Sequence, residues 1–420
     1  MLNPKYPHAV ETVIARLESA GFAAYVVGGA LRDTLLGREA HDFDVTTSAL
    51  PCEMQQVFEG FHVIETGLKH GTLTVMVAHE AVEVTTFRID GEYRDARHPE
   101  GVTFIDRIED DLARRDFTVN AMAYSKRRGL VDVFGGREDL ESRVIRAVGD
   151  PSARFGEDAL RILRAYRFMS KLNFDIEEKT LAATAACREG LARISAERIT
   201  TELSGIFVGV AACRSLSLML RNGIFSAFAP AFWVTEEAIG AMDCLPAVFE
   251  VRLAYFLRDC EDRGESLLGC LRLSGASLSR VRVLLRLRDF DFTAVNGERV
   301  RRLMAAAGKY ADDIDGLVHA GDFFRMGEAD RETVRLRLAQ IRARHDCLSL
   351  SELAIDGRML MAEGIGGRAI GKTLAALLDR VMADPTQNRT EVLLAMAREM
   401  RDENAAQAKE NKATDIDQGE

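Results

Sequence analysis

Cysteine is scarce and scattered in this chain. The 420 residues contain seven cysteines, an odd number, and they form no Cys-x-x-Cys pair. This spacing argues against a disulfide framework and against a cysteine-based zinc site. It is typical of reduced thiols, so we expect a cytoplasmic protein.

Long apolar runs and an excess of basic charge are also missing. No run reaches the roughly 18 apolar residues that a membrane helix requires, and the N-terminal residues lack the pattern of a signal peptide, so we expect neither. The net charge is -10, which excludes a basic coat over the whole surface but not local basic patches. Hydrophobic residues make up 47% of the chain, enough for a sizeable core.

The periodicity of apolar residues changes near residue 152. Before that point, we expect a helix at 8–20, a short helix at 30–36 and a polar loop at 90–103. The first helix is predicted to carry an apolar stripe of Val10, Val13, Ile14 and Leu17. The strands predicted in the same part lie at 24–27, 43–46, 61–65, 72–77 and 81–88. After it, helical spacing dominates, as at 157–171, 178–189, 196–208 and 331–344. The chain is therefore predicted to be α+β, with a mixed sheet first and helices after it.

Paired glycines and acidic residues stand out in the first part. Gly28 and Gly29 follow a predicted strand, where they suit either phosphate binding or a plain turn. Asp42 and Asp44 are two positions apart on a predicted strand, so both carboxylates face one side, an arrangement that favours Mg²⁺. A solvated strand also carries such pairs by chance. Glu83, on another strand, either adds a third carboxylate or is a simple exposed residue.

Two further segments are rich in arginine. In RRDFTVNAMAY (114–124), the arginine forks suit phosphate, although an ordinary helix start with exposed arginines explains them equally well. In EDALRILRAYRF (157–168), Asp158, Arg161, Arg164 and Arg167 recur every three residues.

The pair Asp158 and Arg161 has two interpretations. It forms either an ion pair worth roughly 0.2–0.5 kcal/mol or a reader of nucleobases. In the second interpretation, the carboxylate accepts from an exocyclic amino group and the guanidinium donates to a ring nitrogen. Cytosine and adenine both offer this pattern, whereas uracil and guanine do not. A hydrogen bond left unmade costs roughly 1–3 kcal/mol, which is enough to discriminate.

Taken together and in order, these motifs closely resemble a known family. The segments are VVGGALRD, HDFDVTT, EVTTFR, RRDFTVNAMAY and FGEDALRILRAYRF, and a weaker match follows at 356–382. They resemble the class II tRNA nucleotidyltransferases, which include the bacterial CCA-adding enzymes and the bacterial poly(A) polymerases. The resemblance implies a nucleotidyltransferase head at 1–145 followed by an all-α neck at 146–205, body at 206–330 and tail at 331–400. We expect residues 401–420, which have almost no large apolar side chains, to be disordered.

The resemblance also implies roles for individual residues. Asp42 and Asp44 would hold Mg²⁺, with Glu83 as the supporting carboxylate. Asp158 and Arg161 would read the base. The other residues implied to contact or support the nucleotide are Gly28, Gly29, Arg32, Asp33, Arg115, Asp116, Asn120, Arg164 and Arg167.

The implied activity is template-independent addition of CCA to the 3′ end of tRNA from CTP and ATP. The helical part would bind the acceptor arm and elbow of the tRNA. The segment 65–75 resembles the form found in CCA-adding enzymes, and the loop 90–102 has their full length. An enzyme that adds A alone, a poly(A) polymerase and an inactive RNA-binding protein are the alternatives.

Overall fold

The computed structural model describes residues 6–65, 67–90, 102–292, 295–320 and 323–417. Within them the chain divides into two compact units. The first comprises residues 1–243 and 260–273, and the second comprises 244–259 and 274–420. The finer division into head, neck, body and tail stays a prediction.

The strands all lie in the first 180 residues of the described chain. They are β1 (Ala24–Val27), β2 (Asp44–Thr47), β3 (His62–Ile64), β4 (Thr72–Val77), β5 (Glu80–Thr86), β6 (Arg88–Asp90), β7 (Val102–Phe104), β8 (Ala123–Ser125), β9 (Gly129–Val131), β10 (Val144–Ile145) and β11 (Asp175–Ile176). Within the described residues, seven of them form one sheet in the order β3-β4-β5-β2-β1-β8-β9. The pair β2–β5 is parallel, and the other neighbours in this sheet are antiparallel.

The helices begin before the sheet and continue to the end of the described chain. Up to residue 243 they are α1 (His8–Ser19), α2 (Gly28–Leu35), α3 (Pro51–Val57), α4 (Ile108–Ala113), α5 (Gly136–Ser142), α6 (Pro151–Glu157), α7 (Leu160–Leu172), α8 (Glu178–Ala186), α9 (Ala196–Phe207), α10 (Ala212–Arg221) and α11 (Ile224–Phe228). Beyond it they are α12 (Phe249–Leu257), α13 (Glu261–Cys270), α14 (Gly275–Leu287), α15 (Gly297–Ala307), α16 (Ile314–His319), α17 (Glu328–Arg344), α18 (Gly357–Ala362), α19 (Arg368–Ala383) and α20 (Thr390–Asp417).

Apolar periodicity accounts for the packing of the first unit. On α1, the predicted stripe of Val10, Val13, Ile14 and Leu17 is buried, and the helix packs on β1, β4 and β5. Along β4, buried residues alternate with half-buried ones, as a sheet with one covered face requires. The hairpin β4–β5 turns through Ala78 and His79, whose φ angles are 49° and 72°. Two successive positive φ values match a type I′ turn, which sets the register of β5.

Helix α7 packs beside the two-stranded sheet of β10 and β11. It packs against α9 and α10. The approach to α9 is close, because a Cβ on Gly205 of α9 would lie 2.6 Å from the Arg167 Cδ on α7. The predicted helix 157–171 was wrong at its start: α6 ends at Glu157, Asp158 is extended (φ -142°, ψ 103°), and α7 begins at Leu160.

Within the described residues, the second unit contains helices and no strands. Its buried apolar residues include Leu360, Leu377 and Leu393, from α18, α19 and α20. Arg301 is buried and donates to the backbone oxygens of Met382 and Ala383, which satisfies acceptors at the end of α19.

The structure bears on three further expectations, which concern the loop 90–103, the C-terminal residues and membrane helices. In the predicted loop 90–103, residues 91–101 lie outside the described residues, whereas Val102–Phe104 forms a strand paired with Arg88–Asp90. Helix α20 extends to Asp417, so the predicted disorder from 401 was wrong over that stretch, where Ala, Glu, Lys and Gln favour a helix. Among the helices of the described chain, none is both long and apolar enough to span a bilayer.

Candidate nucleotide site

The glycine pair starts a helix at the end of strand β1. Gly28 has a φ of +73°, and a Cβ there would lie 3.4 Å from the Arg115 Nη1 and 3.6 Å from the Asp44 Oδ2. A side chain at this position would be strained and would fill the space between a guanidinium and a carboxylate. The helix begins two residues earlier than predicted, so Gly28 and Gly29 form its first turn. Their amides are therefore free of helical partners and available to an anion.

Asp44 is the first residue of β2 and pairs in register with Glu83 on the parallel strand β5. Residues in register point to the same face of a sheet, so the structure brings these two carboxylates together, as predicted. Burial and the neighbouring carboxylates of Glu83 and Asp42 raise the pKa of Asp44, while Arg115 opposes the rise. Asp42 itself is exposed and precedes the strand, so the prediction that β2 carries both aspartates was wrong.

A chain of polar contacts links the glycine helix to α7. The buried Arg32 donates from Nε to Asp33 and from Nη1 to the Oδ1 of Asn120, at 2.7 Å. The amide of Asn120 donates to Asp116, 3.2 Å away. The second oxygen of Asp116 accepts from the Nε of Arg164 at 2.8 Å. All five residues were predicted to belong to the nucleotide site, and the structure places them in one network.

Asp116 is the most strongly perturbed carboxyl of this network. Its burial disfavours the charged form, but the ion pair with Arg164 and the hydrogen bonds from Asn120 and the Phe117 amide hold its pKa at about 2. The same ion pair raises the pKa of Arg164. The network is therefore charged throughout the physiological range.

Asp158 and Arg161 do not form the simple ion pair that was one of their two interpretations. Arg161 donates to the carboxylate of Glu157 at 2.5 Å and to the backbone oxygens of Arg154 and Arg114. Asp158 accepts from the amide of Leu160 and, at 2.7 Å, from the Nη2 of Arg198. Each side chain is held in place by other partners, and both line the same cleft.

Three guanidiniums surround the ring of Phe168 on α7. The Cζ atoms of Arg32, Arg164 and Arg167 lie 5.3, 5.4 and 4.6 Å from its centroid. Such contacts contribute roughly 0.5–2 kcal/mol each. Arg167 also donates to Glu202 on α9, so the ring and two carboxylates fix the direction of these cations.

These elements enclose a cleft of about 520 Å³ within the first unit. Its lining comprises Gly28, Gly29, Arg32, Asp44, Arg114, Arg115, Asp116, Asn120, Asp158, Leu160, Arg161, Arg164, Arg167, Phe168, Lys171 and Arg198. Of the predicted residues, Asp33, Asp42 and Glu83 are not part of this lining. Eight arginine and lysine side chains face three aspartates, so an acidic chain contains a strongly basic cleft. This arrangement suits an anionic ligand.

Sequence reasoning missed several lining residues, notably Lys171 and Arg198. Lys171 follows Arg167 by four residues, so helical spacing alone places it on the same stripe. Arg198 is forty positions from Asp158, and no local pattern marks it.

Two buried guanidinium nitrogens, the Arg115 Nε and the Arg198 Nη1, have no hydrogen-bond partner among the described residues. A buried donor without an acceptor costs roughly 1–3 kcal/mol, which an anion in the cleft would recover.

A divalent cation fits beside the carboxylate of Asp44 in the cleft lining. Within the described residues, no group of three or more His, Cys, Asp or Glu side chains is arranged to hold a metal. Mg²⁺ needs only one or two carboxylates when substrate phosphates complete its shell. Asp44 meets this requirement, because it lines the cleft and the carboxylate of Glu83 is paired with it in register on the neighbouring strand.

Two family models match the first unit. The "Poly A polymerase head domain" matches residues 24–146, and the "Probable RNA and SrmB-binding site of polymerase A" matches residues 173–235. The first covers the sheet and the glycine helix, and the second begins just after α7.

Known proteins and solved structures are similar to this chain over most of its length. The CCA-adding enzyme of Enterococcus faecalis is 35% identical over 400 residues, covering 93% of this chain and 95% of the relative. That of Lactobacillus helveticus is 36% identical over 397 residues, covering 91% and 94%. The crystal structure of the Bacillus stearothermophilus CCA-adding enzyme in complex with CTP is 30% identical, with a TM-score of 0.77 and coverage of 97% of this chain and 100% of that one. The predicted α+β fold is confirmed, and the chain belongs to the family of the CCA-adding enzymes.

Proposed function

We propose that this protein adds CCA to the 3′ end of tRNA, using CTP and ATP and no nucleic-acid template. The observation that carries the proposal is that Asp44, Asp158 and Arg161 line one and the same cleft. A nucleotide lying along it would have its phosphates near the glycine helix and its base near the start of α7. Relatives that match over the whole chain are named for this reaction.

The reaction joins the 3′ oxygen of the RNA to the α-phosphorus of the incoming nucleotide, and the proton of the 3′-hydroxyl passes to solvent. The bond from that phosphorus to the bridging oxygen breaks, and pyrophosphate leaves with the electron pair. Mg²⁺ would be held by Asp42 and Asp44, with Glu83 in support. It would lower the pKa of the attacking hydroxyl and neutralise the departing pyrophosphate.

The chain's own contribution is to position the reactants and to neutralise charge. The first turn of α2 presents backbone amides of Gly28 and Gly29 to the phosphates. Arg32 lies beside that turn and is fixed by Asp33 and Asn120, so it can neutralise phosphate without reorganising. Arg115, Arg164 and Arg167 add further positive charge along the same wall.

Base selection would rest on Asp158 and Arg161. The guanidinium of Arg161 is buried and tied to Glu157 and two backbone oxygens, so it presents a fixed donor. A fixed donor beside a carboxylate accepts the edge shared by cytosine and adenine. It leaves uracil and guanine with unmade hydrogen bonds, at roughly 1–3 kcal/mol each.

The RNA would be held mainly through its backbone, in the reduced environment of the cytoplasm. The segment 173–235 matches a model described as an RNA-binding site, which supports a role for the helices after α7. We assign catalysis to residues 1–145, base recognition to 146–205 and tRNA binding to the body and tail at 206–400. Overall acidity does not prevent this, because phosphate binding depends on local cations.

The direct test uses labelled nucleotides. The purified chain, with Mg²⁺, is given tRNA that ends at the discriminator base or at CC, and each labelled triphosphate in turn. We expect C on the first RNA, A on the second, and the complete CCA when CTP and ATP are both present. Incorporation of A without any C would identify an A-adding enzyme, and long A tails would identify a poly(A) polymerase. Binding of RNA without any incorporation would leave only an inactive RNA-binding protein.

A further inference from the structure

Lys171 extends the cationic stripe of α7 by one turn. It follows Arg164 by seven residues and Arg167 by four, the spacing that places side chains on one helical face. Its side chain is exposed and forms part of the cleft lining. It therefore faces the same space as the two arginines.

The three cations of this stripe differ in how they are neutralised. Arg164 is paired with Asp116 at 2.6 Å, and Arg167 is paired with Glu202 at 2.5 Å. Among the described residues, no carboxylate and no hydrogen-bond acceptor contacts the ammonium of Lys171. Its charge is therefore the least compensated on this face of the helix and is available to an anion from solution.

The position of Lys171 along the helix indicates which part of a nucleotide it would meet. Arg161 lies at the first turn of α7, and Lys171 lies ten residues later, about 15 Å farther along the axis. Arg32, beside the glycine turn, stacks on Phe168, which is only three residues before Lys171. The order along the cleft is thus the base-reading pair, then the phosphate-facing arginine, then Lys171.

We propose that Lys171 binds the terminal phosphate of the incoming nucleotide and, after transfer, the pyrophosphate that leaves. The inference rests on the proposed function, because it takes the base to lie at Asp158 and Arg161. An extended triphosphate carries its terminal phosphate farthest from the base, and Lys171 is the cation of the lining at that end of α7. A flexible ammonium can follow the phosphate as pyrophosphate departs, whereas the paired arginines are held in place.

The test compares Lys171→Gln with Lys171→Arg and with Lys179→Gln. Lys179 is an exposed lysine on α8 that does not line the cleft, so it serves as the matched control. Calorimetry measures the binding of CTP, CMP and inorganic pyrophosphate, and steady-state assays give KM for CTP and for tRNA. We expect Lys171→Gln to weaken the binding of CTP and of pyrophosphate about tenfold, and to leave the binding of CMP and the KM for tRNA unchanged. Lys171→Arg should recover most of the loss, and Lys179→Gln should resemble the parent protein.

Two results would overturn the assignment. Equal losses for CTP and CMP would place the contact at the sugar, base or first phosphate. A raised KM for tRNA with unchanged binding of CTP would place Lys171 on the RNA. These binding comparisons require no turnover, so they are separate from the labelled-nucleotide assay, whose failure in the parent protein would refute the proposed function itself.

Discussion

Asp44 and Glu83 occupy paired positions on the parallel strands β2 and β5. Two carboxylates on one face of a sheet repel each other unless a cation lies between them. Desolvation of the Asp44 carboxyl raises its pKa, and the negative charge of Glu83 raises it further. A purely structural role for the pair would lower stability without benefit, so the geometry favours a bound divalent ion.

Replacing Asp44 should therefore separate activity from stability. We expect Asp44→Asn to reduce nucleotide transfer about a thousandfold or more, because a metal contributes several kcal/mol to charge stabilisation. The melting temperature should stay the same or rise, since a repulsive contact is removed. Single-turnover incorporation and calorimetry measure the two effects. Glu80→Gln, at the start of the same strand β5, is the matched control and should change neither. Retained transfer by Asp44→Asn would refute the metal assignment.

Replacing Arg161 should change which nucleotide is chosen. We expect Arg161→Ala to lower the preference for CTP and ATP over UTP and GTP by about tenfold to a hundredfold, the effect of one buried donor. Binding of tRNA should change far less than the choice of nucleotide. The local fold should also persist, because Glu157 keeps its contact with Arg154 at 3.0 Å. Values of kcat/KM for the four triphosphates and a filter-binding assay test this. An unchanged order of preference would show that Arg161 does not read the base.

The buried pair of Asp116 and Arg164 predicts a pH dependence of stability. The pKa of Asp116 is lowered to about 2 in the fold, and a carboxyl with a lowered pKa stabilises the folded state fully only above its unfolded pKa of about 4. The charged Asp116 contributes about 2 kcal/mol to the free energy of unfolding at neutral pH, and about half of this contribution is lost by pH 3. We expect the difference in unfolding free energy between the parent and Asp116→Asn to narrow accordingly between pH 6 and pH 3. A constant difference, measured by urea unfolding, would contradict the assignment.

The turn between β4 and β5 offers a stabilising substitution. Ala78 and His79 both have positive φ, which Asn and Gly adopt with less strain. We expect the double change Ala78→Asn and His79→Gly to raise the unfolding free energy by about 1 kcal/mol. The midpoint of urea unfolding should rise at constant slope, and nucleotide transfer should be unaffected. A lower midpoint would mean that the turn is not of this type.

Much of the fold was predictable because local patterns determine it. The apolar stripe of α1 and the bounds of β4 were confirmed almost to the residue. The ordered motifs also identified the family, which the comparisons confirmed. The assignment of individual site residues remains a prediction, although the structure gathers most of them around one cleft.

The features of the fold and the site that were not predicted depend on contacts between residues far apart in the sequence. The break before α7 arises because Asp158 accepts from the Leu160 amide, and the helix then starts at Leu160. The partner of Asp158, Arg198, comes from a different helix, and no spacing rule connects the two. The alignment of Asp44 with Glu83 follows from strand pairing that a single sequence does not specify.

The contact of Arg198 with Asp158 has a consequence for fidelity if Asp158 reads the base. Arg198 donates to the Asp158 carboxylate at 2.7 Å, so it would compete with an incoming base for this acceptor. A base with an amino group can displace it, because one donor replaces another. A base that presents an oxygen instead would break the ion pair and gain a repulsive contact with Asp158, so the pair would disfavour uracil and guanine before the transfer step.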